Sequence, residues 1–108
     1  MQQSQKKDIR PGGLSPTKDA GDEEQALCDK IRPSLEQQEG KKFPVFDATK
    51  FRSQVVAGAM YYIKIDVAEP QSFIHAKIFR PLPGSNQDVT LEKYEKGHTA
   101  SDEIQYIP

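Results

Sequence analysis

The order of two apolar patterns along the chain predicts an α+β fold, in which one long helix is wrapped by a twisted antiparallel sheet of four to five strands. Leu27, Ile31 and Leu35 recur every four residues in a charged segment, which is typical of one face of a helix. From residue 59 to 67 the side chains alternate between two faces, as in a half-buried strand. The two sets are Tyr61, Ile63, Ile65 and Val67 on one face and Met60, Tyr62, Lys64 and Asp66 on the other. One apolar stripe on a helix can cover one apolar face of such a sheet.

The helix is predicted to run from about Asp22 to Gln38. Asp22 is its N-cap or an acid of its first turn, where carboxylates complement the positive end of the helix dipole. Gly40 supplies a C-terminal stop. Pro33 lies inside the helix, where the missing N–H costs roughly 3 kcal/mol. Because the apolar stripe continues to Leu35, we expect a bend or a local bulge at Pro33 and not a break.

Three hairpin-linked strands and a final edge strand are predicted after the helix. The first begins at Lys42, and its imperfect alternation between Phe46 and Ala48 indicates a bulge or a bend. The remaining elements follow in chain order: a hairpin tip at 54–58, a strand over 59–67, a turn at 69–72, a strand over 73–80, a second turn at 81–86, a mostly irregular stretch over 87–101 and a last short strand over 103–107.

The charge balance and the cysteine count exclude several classes of protein. The 108 residues suit one domain, and fifteen Lys and Arg face sixteen Asp and Glu, for a net charge of -1. A chain with this balance has no broad basic surface for nucleic acid or for an anionic membrane. Cys28 is the only cysteine, so no intramolecular disulfide forms, and no apolar stretch has the length of a signal peptide or a membrane span. We therefore expect a cytoplasmic protein.

The hairpin tip at residues 54–58 has an unusual composition. Tight turns normally carry Asn, Asp or Gly, and here only Gly58 fits that description. Val55, Val56 and Ala57 instead place apolar surface where the core cannot reach it. An apolar tip of this kind indicates a partner that buries it.

The tip, Gln54-Val55-Val56-Ala57-Gly58, resembles the central hairpin motif of the cystatin superfamily, and the rest of the chain is similar to its intracellular branch, the stefins. The residues that carry the resemblance are Pro11-Gly12-Gly13-Leu14, Lys42-Phe43-Pro44-Val45-Phe46, Ser53 through Gly58, Tyr61-Tyr62-Ile63-Lys64, Val67, His75, Phe79, Leu82-Pro83-Gly84 and Asp102-Glu103. Secreted cystatins carry two disulfides and usually a Trp in the second turn. A chain with one cysteine and no Trp is closer to the stefins.

The resemblance implies a reversible, tight-binding, non-covalent inhibitor of papain-like cysteine proteases such as the cathepsins, which blocks the active-site cleft and is not itself an enzyme. It implies no cofactor and no metal. Three segments of the family fold lie side by side as a wedge. The protease-binding residues expected from it are Gly12, Gly13, Gln54, Val55, Val56, Ala57, Gly58, Leu82, Pro83 and Gly84.

The same resemblance divides the chain into a flexible N-terminal extension over residues 1–8 and a single cystatin-like domain over residues 9–108. Stefins usually begin only a few residues before the glycine that corresponds to Gly12, whereas eleven residues precede it here. An extension of this length must leave the protease cleft, so we expect it to weaken binding to proteases whose cleft is obstructed.

Two other functions are compatible with the residues. The chain is expected to be mainly a monomer, but the hairpin could open into one long strand and form a domain-swapped, non-inhibitory assembly. Alternatively, Cys28 could act as a hydrolase nucleophile with His75 or His98 as its base. We interpret Cys28 as a small buried hydrophobe of the helix stripe, because the sequence places no base beside it.

Several candidate site residues could instead have a purely structural role. Val55 could be a partly buried strand end, and Leu82 could fold back on the core. His75 is expected on the outer face of a strand beside Lys77, and His98 in an irregular stretch. The spacing of these two histidines does not match that of a metal site.

Overall fold

The structure, a computed structural model, describes residues 13–68 and 72–108 and confirms the predicted α+β architecture. One helix packs against a five-stranded antiparallel sheet with the strand order β1-β2-β3-β4-β5. The elements in chain order are β1 (Lys18–Asp19), α1 (Asp22–Glu39), β2 (Asp47–Val56), β3 (Gly58–Asp66), β4 (Phe73–Arg80) and β5 (Thr90–His98). Of the turn predicted at 69–72, residues 69–71 lie outside the described residues.

Helix α1 begins and ends close to where the sequence predicts. Its N-cap is Gly21, whose backbone N–H donates to the Glu24 carboxylate at 2.8 Å, and three acids occupy its first turn. It ends at Gly40, which has a φ of 72° and donates its N–H to the Glu36 carbonyl at 2.9 Å. The helix runs unbroken through Pro33. Because Pro33 and Asp29 are both exposed, the Asp29 carbonyl that loses its helical donor faces solvent and not the core.

The core lies between the helix stripe and one face of the sheet. The predicted alternation of β3 is confirmed, because Tyr61, Ile63 and Ile65 all pack toward the helix. The buried members of this core are Leu27, Cys28, Ile31, Leu35, Phe43, Phe46, Ala59, Tyr61, Ile63, Ile65, Val67, Ile74, Ala76 and Ile78. Burial of this apolar surface is the main force that holds the helix on the sheet.

Strand β2 begins later than predicted, at Asp47 instead of Lys42. Phe43 and Phe46 are buried, but their backbone partners are side chains of the helix and not a neighbouring strand. Gln25 donates to the Phe46 carbonyl at 2.9 Å, and Glu36 accepts the Phe43 N–H at 2.9 Å. The predicted irregularity is present as a shift in register between Ala48 and Lys50, slightly later than expected.

The C-terminal third departs most from the prediction. The stretch expected to be irregular contains strand β5, and the strand predicted over residues 103–107 is wrong, because these residues have no strand pairing. Strand β5 is an edge strand with mostly exposed polar side chains, so its pairing with β4 leaves no apolar alternation to detect. Ile104 and Ile107 instead pack beside Tyr62 on the second face of the sheet.

Lys64 joins the C-terminal segment, residues 99–108, to this second face. Its side chain is only 3% exposed, and its ammonium donates to the carbonyls of Thr99 and Ala100, each at 2.9 Å, and of Asp102. Burial lowers the pKa of Lys64 from its usual range. The three carbonyls replace the water that a buried ammonium loses.

His75 is not on an exposed face as predicted. It is 1% exposed, because the second face of the sheet is covered, and its ring stacks on that of His98 with the centroids 3.7 Å apart. His98 is the last residue of β5 and does not lie in an irregular stretch.

No helix among the described residues is long and apolar enough to cross a membrane.

Replacing Lys64 should loosen the C-terminal segment. In Lys64→Met the three carbonyls lose their common donor, so we expect the free energy of unfolding to fall by about 1–3 kcal/mol in urea titrations. Lys93→Met, on the exposed face of β5, is the matched control and should change stability by less than about 0.5 kcal/mol. Equal stability of the two variants would contradict this role of Lys64.

Candidate functional site

The hairpin between β2 and β3 is as tight as a strand connection can be. Val55 pairs with Ala59 and Val56 pairs with Gly58, which leaves only Ala57 between the strands. Val55 is 89% exposed and Val56 is 42% exposed. The tip therefore presents two apolar side chains to solvent, and both are β-branched and stiff.

Gly58 is required at this tip by its backbone conformation and by its surroundings. Its φ of 120° lies in a region that L-residues rarely adopt, and a Cβ at this position would lie 2.5 Å from the carbonyl oxygen of Arg80. A side chain here would push the tip away from the end of β4. The glycine therefore lets the two segments approach each other closely.

The register of the sheet brings the second turn to the same edge as the tip. Arg80, the last residue of β4, lies opposite Ala59, so the turn starts directly beside the hairpin. The Arg80 guanidinium packs over the Tyr61 ring at 5.4 Å and pairs with Glu23 at 2.6 Å, which fixes the point where the chain leaves the sheet.

Within this second turn, Leu82 is 55% exposed and Pro83 and Gly84 are exposed as well. The turn is closed by the Ser85 N–H, which donates to the Leu82 carbonyl at 3.2 Å. A cavity of about 410 Å³ separates residues 80–89 from Lys30 of the helix. Leu82 therefore does not fold back on the core, and that alternative is excluded.

The N-terminal segment approaches the same edge from the other side of the hairpin. Ser15 donates its N–H to the Ser53 carbonyl at 2.8 Å and accepts the Ser53 N–H with its hydroxyl at 2.9 Å. Lys18 lies opposite Phe51 in an antiparallel pairing, so residues 13–15 lie on the side of this pairing nearer the tip. Gly13, the first described residue, is exposed, and Gly12 lies outside the described residues.

Those expected site residues that the structure describes thus gather along one border, which we call the tip edge: residues 13–15, 54–58 and 81–85. Gln54 differs from the others, because its side-chain oxygen already accepts a hydrogen bond from the Tyr62 hydroxyl at 3.2 Å. The Gln54 side chain therefore ties the hairpin to strand β3. The tip edge carries exposed apolar side chains on two separate chain segments, Val55 and Val56 on the hairpin and Leu82 on the second turn, which is the form of a docking surface and not of a catalytic site.

Cys28 does not have the surroundings of a nucleophile. The side chain is fully buried in the core, and burial, followed by the carboxylates of Asp29 and Glu24, raises the pKa of its thiol to about 12. At neutral pH the thiolate is therefore absent. The hydrolase alternative fails on this point, and the interpretation of Cys28 as a buried hydrophobe is confirmed.

Comparison with known proteins agrees with the fold. The family model described as the cystatin domain matches residues 12–101. The chain is 48% identical to stefin-C of Bos taurus over 96 residues, which cover 89% of this chain and 94% of the relative. It is 45% identical to cystatin-B of Bos taurus and 43% identical to cystatin-B of Homo sapiens, in each case over 89% of this chain and 97% of the relative.

The chain belongs to the cystatin family. The similarity to a stefin and to two cystatin-B proteins confirms the predicted stefin branch. Family membership also confirms the predicted class, a cysteine protease inhibitor and not an enzyme.

Sequence reasoning missed a second group of side chains in this cystatin. His75, Glu95 and His98 meet on the second face of the sheet, and one potential ligand atom from each lies within 4.8 Å of the others. The sequence offered no signal for this group, because Glu95 and His98 were placed in an irregular stretch. Only the pairing of β5 with β4, including its shift in register after Phe73, brings them to His75.

The Gly58→Ala substitution should destabilise the tip more than a positive φ alone explains. We expect a loss of at least about 1–3 kcal/mol in the free energy of unfolding, because the Cβ adds a clash with the Arg80 carbonyl to the backbone strain. Gly40→Ala is the control, since Gly40 has a φ of 72° but nothing within 4 Å of the added Cβ. Urea denaturation of both variants measures the difference, and a smaller loss in Gly58→Ala than in Gly40→Ala would argue against the clash.

The Cys28 thiol should be inert in the folded protein. Because its pKa is raised to about 12, we expect no reaction with a thiol-specific reagent at pH 8 on a timescale that labels the unfolded chain completely. The chain has one cysteine, so absorbance of the released chromophore reports on Cys28 alone. Rapid labelling under native conditions would show that the thiol is accessible.

Proposed function

We propose that this protein is a reversible, tight-binding and non-covalent inhibitor of papain-like cysteine proteases of the cathepsin type, and that the tip edge enters their active-site cleft. The observation that supports this most directly is the exposed, stiff apolar tip formed by Val55 and Val56. The placement of a second apolar turn on the same border supports it further.

The shape and chemistry of the tip suit the cleft of these proteases. A papain-like cleft is narrow and has a Cys–His pair at its base. A hairpin closed by a single residue, Ala57, is slim enough to approach that base, and its side chains are small. Val55 and Val56 have little rotamer freedom to lose, so burying them gains hydrophobic free energy at a small entropic cost.

The second turn adds a further anchor of the same kind. Leu82 stands between Pro81 and Pro83, which fix the backbone φ on both sides of it. The ion pair of Arg80 with Glu23 holds the start of the turn against the helix. Because the turn is ordered before it binds, less conformational entropy is lost on association.

The N-terminal segment supplies the third part of the proposed wedge. Its direction beside β2 leads the chain from Ser15 through Gly13 toward the tip and onward into the cleft. We propose that Gly12 and Gly13 let this segment pass close to the protease backbone. No peptide carbonyl of the wedge needs to reach the catalytic thiolate, so the inhibitor is not cleaved as a substrate.

A complex of this kind should bury on the order of 1,600 Å² and bind with a Kd on the order of nanomolar or lower, as protease–inhibitor pairs do. The binding residues we propose are Gly12, Gly13, Gln54, Val55, Val56, Ala57, Gly58, Leu82, Pro83 and Gly84. Nucleic acid and membranes are not proposed as partners, because the net charge of -1 provides no basic surface.

We further propose that residues 9–108 form the inhibitory domain, preceded by an extension over residues 1–8 that lies outside the described residues, and that the protein acts in the cytoplasm. The single cysteine, buried and unpaired, suits a reducing compartment.

We propose that the monomer is the inhibitory form. If β2 and β3 opened at Ala57 and exchanged between two chains, the tip would become part of one continuous strand. Val55 and Val56 would then no longer project from a turn, so a strand-exchanged dimer should lose inhibition. This assembly is the alternative to an inhibitory role for the fold.

The Val55→Asp variant should abolish tight inhibition without unfolding the protein. An unpaired carboxylate in the apolar cleft should cost about 2–5 kcal/mol, which corresponds to roughly 30-fold to several thousand-fold weaker inhibition. Titration of papain activity measures the inhibition constant. Gln105→Asp, which adds the same charge at an exposed position of the C-terminal segment, is the matched control and should inhibit like the parent protein.

Trypsin, a serine protease, should not be inhibited by any of these proteins. If the parent protein left papain activity unchanged at micromolar concentration, the proposed function would be wrong. If Val55→Asp inhibited papain as well as Gln105→Asp does, the tip edge would not be the binding surface.

A further inference from the structure

The cluster of His75, Glu95 and His98 lies far from the tip edge. His75 is opposite Lys64 in the sheet, five residues along β4 from Arg80, which starts the second turn. At a rise of about 3.3 Å per residue this is roughly 17 Å. The cluster is therefore separate from the surface proposed to bind the protease.

His75 offers a buried nitrogen that the protein leaves without a partner. The residue is almost completely buried, and its Nε2 has no hydrogen-bond partner among the described residues. A neutral imidazole carries one lone pair on a ring nitrogen, which a metal ion can accept.

His98 stands between two carboxylates. Its Nδ1 lies 2.9 Å from an Asp102 oxygen, and its Nε2 lies 3.0 Å from a Glu95 oxygen. A neutral imidazole has a single N–H, so only one of these contacts can be a hydrogen bond. The other contact places a lone pair against a carboxylate, which repels unless a cation, either a second proton or a metal ion, lies between them.

The position of Asp102 determines which ring nitrogen of His98 can bind a metal ion. Its carboxylate also accepts the Thr99 N–H at 3.0 Å and the Thr99 hydroxyl at 2.8 Å, so it is fixed in place. We assign the tautomer in which this carboxylate accepts a hydrogen bond from the Nδ1–H of His98, which leaves the Nε2 lone pair directed at Glu95. The same carboxylate–histidine pair orients the histidine ligands of zinc sites.

We propose that His75, Glu95 and His98 form a binding site for a divalent transition-metal ion, with Zn²⁺ as the ion that the ligands suit best. Two imidazoles and one carboxylate are ligands that zinc takes in proteins, and a water molecule can complete a tetrahedral site from the exposed side of Glu95. Mg²⁺ prefers oxygen ligands and does not fit this set.

Binding requires a movement of His98. The two rings are nearly parallel, with an interplanar angle of 8°, and one ion cannot lie in the plane of both. Ligand atoms around tetrahedral zinc lie roughly 3.4 Å apart, given bonds of about 2.1 Å, and the three ligand atoms here lie within 4.8 Å of one another. His98 follows Gly97, which has a φ of 76°, and its side chain is partly exposed, so it is the ring that turns while His75 stays fixed.

The charges around the site are compatible with a divalent cation. Lys64 contributes one positive charge from β3, but its ammonium is turned into the carbonyls of the C-terminal segment. Glu95 and Asp102 contribute two carboxylates, so the formal charge of the groups around the two imidazole rings is negative. The ion would connect β4 to β5 beside the C-terminal segment and stabilise the folded state in proportion to its occupancy.

Calorimetric titration of ZnCl2 into the metal-free full-length chain tests the site. We expect one zinc ion per chain, and at least about tenfold weaker binding in both Glu95→Gln and His98→Asn. Glu103→Gln, an exposed acid outside the cluster, is the matched control and should bind like the parent protein. Thermal unfolding should show that all variants are folded, and zinc should raise the Tm of the parent and the control but not of the two site variants.

Proton NMR of the imidazole rings gives a second, independent readout. The chain has only two histidines, so every imidazole signal comes from the proposed site. Saturating zinc should shift the signals of both rings as the stack opens, whereas MgCl2 should leave them unchanged. The proposal is overturned if no binding occurs at millimolar zinc, if both site variants bind as well as the parent, or if zinc binds without moving the imidazole signals.

Discussion

The antiparallel register of β2, β3 and β4 is the constraint on which the rest of the molecule depends. Because Val56 pairs with Gly58 and Ala59 pairs with Arg80, two turns that are more than twenty residues apart in sequence begin side by side. A slip of one residue would turn the core side chains of β3 outward and separate the turns. The same pairing that buries Ile63 and Ile65 therefore also positions the apolar residues that stay exposed.

Apolar and polar side chains are separated between the two faces of the sheet and between its two ends. One face carries an apolar core under the helix, and the other buries Lys64 and His75 under the C-terminal segment. At one end, Val55 and Leu82 face solvent without charged neighbours of their own on the tip edge. At the other end the polar groups gather. The tip edge and the cluster of His75, Glu95 and His98 are thus kept about 17 Å apart by the length of the strands.

Residues whose signal is local were predicted well. The helix could be placed because its stripe, its acidic start and Gly40 all lie within twenty residues, and β3 could be placed because both its faces are distinct in composition. Strand β5 could not be, because an edge strand with polar side chains has no period that distinguishes it from a loop. Its existence depends on pairing with the preceding strand β4 and not on a pattern within its own residues.

By itself, the sequence determined the fold class, the family and the unusual apolar tip. The periodicity of apolar residues indicates the fold class, and runs of contiguous residues indicate the family and the tip. Tertiary structure alone decided that Leu82 stands free of the core, that Lys64 is held by three carbonyls, and that His75 meets Glu95 and His98. The physical reason is that such contacts join segments whose neighbourhood depends on strand register and on the path of the C-terminal segment. No pattern of nearby residues encodes those distances.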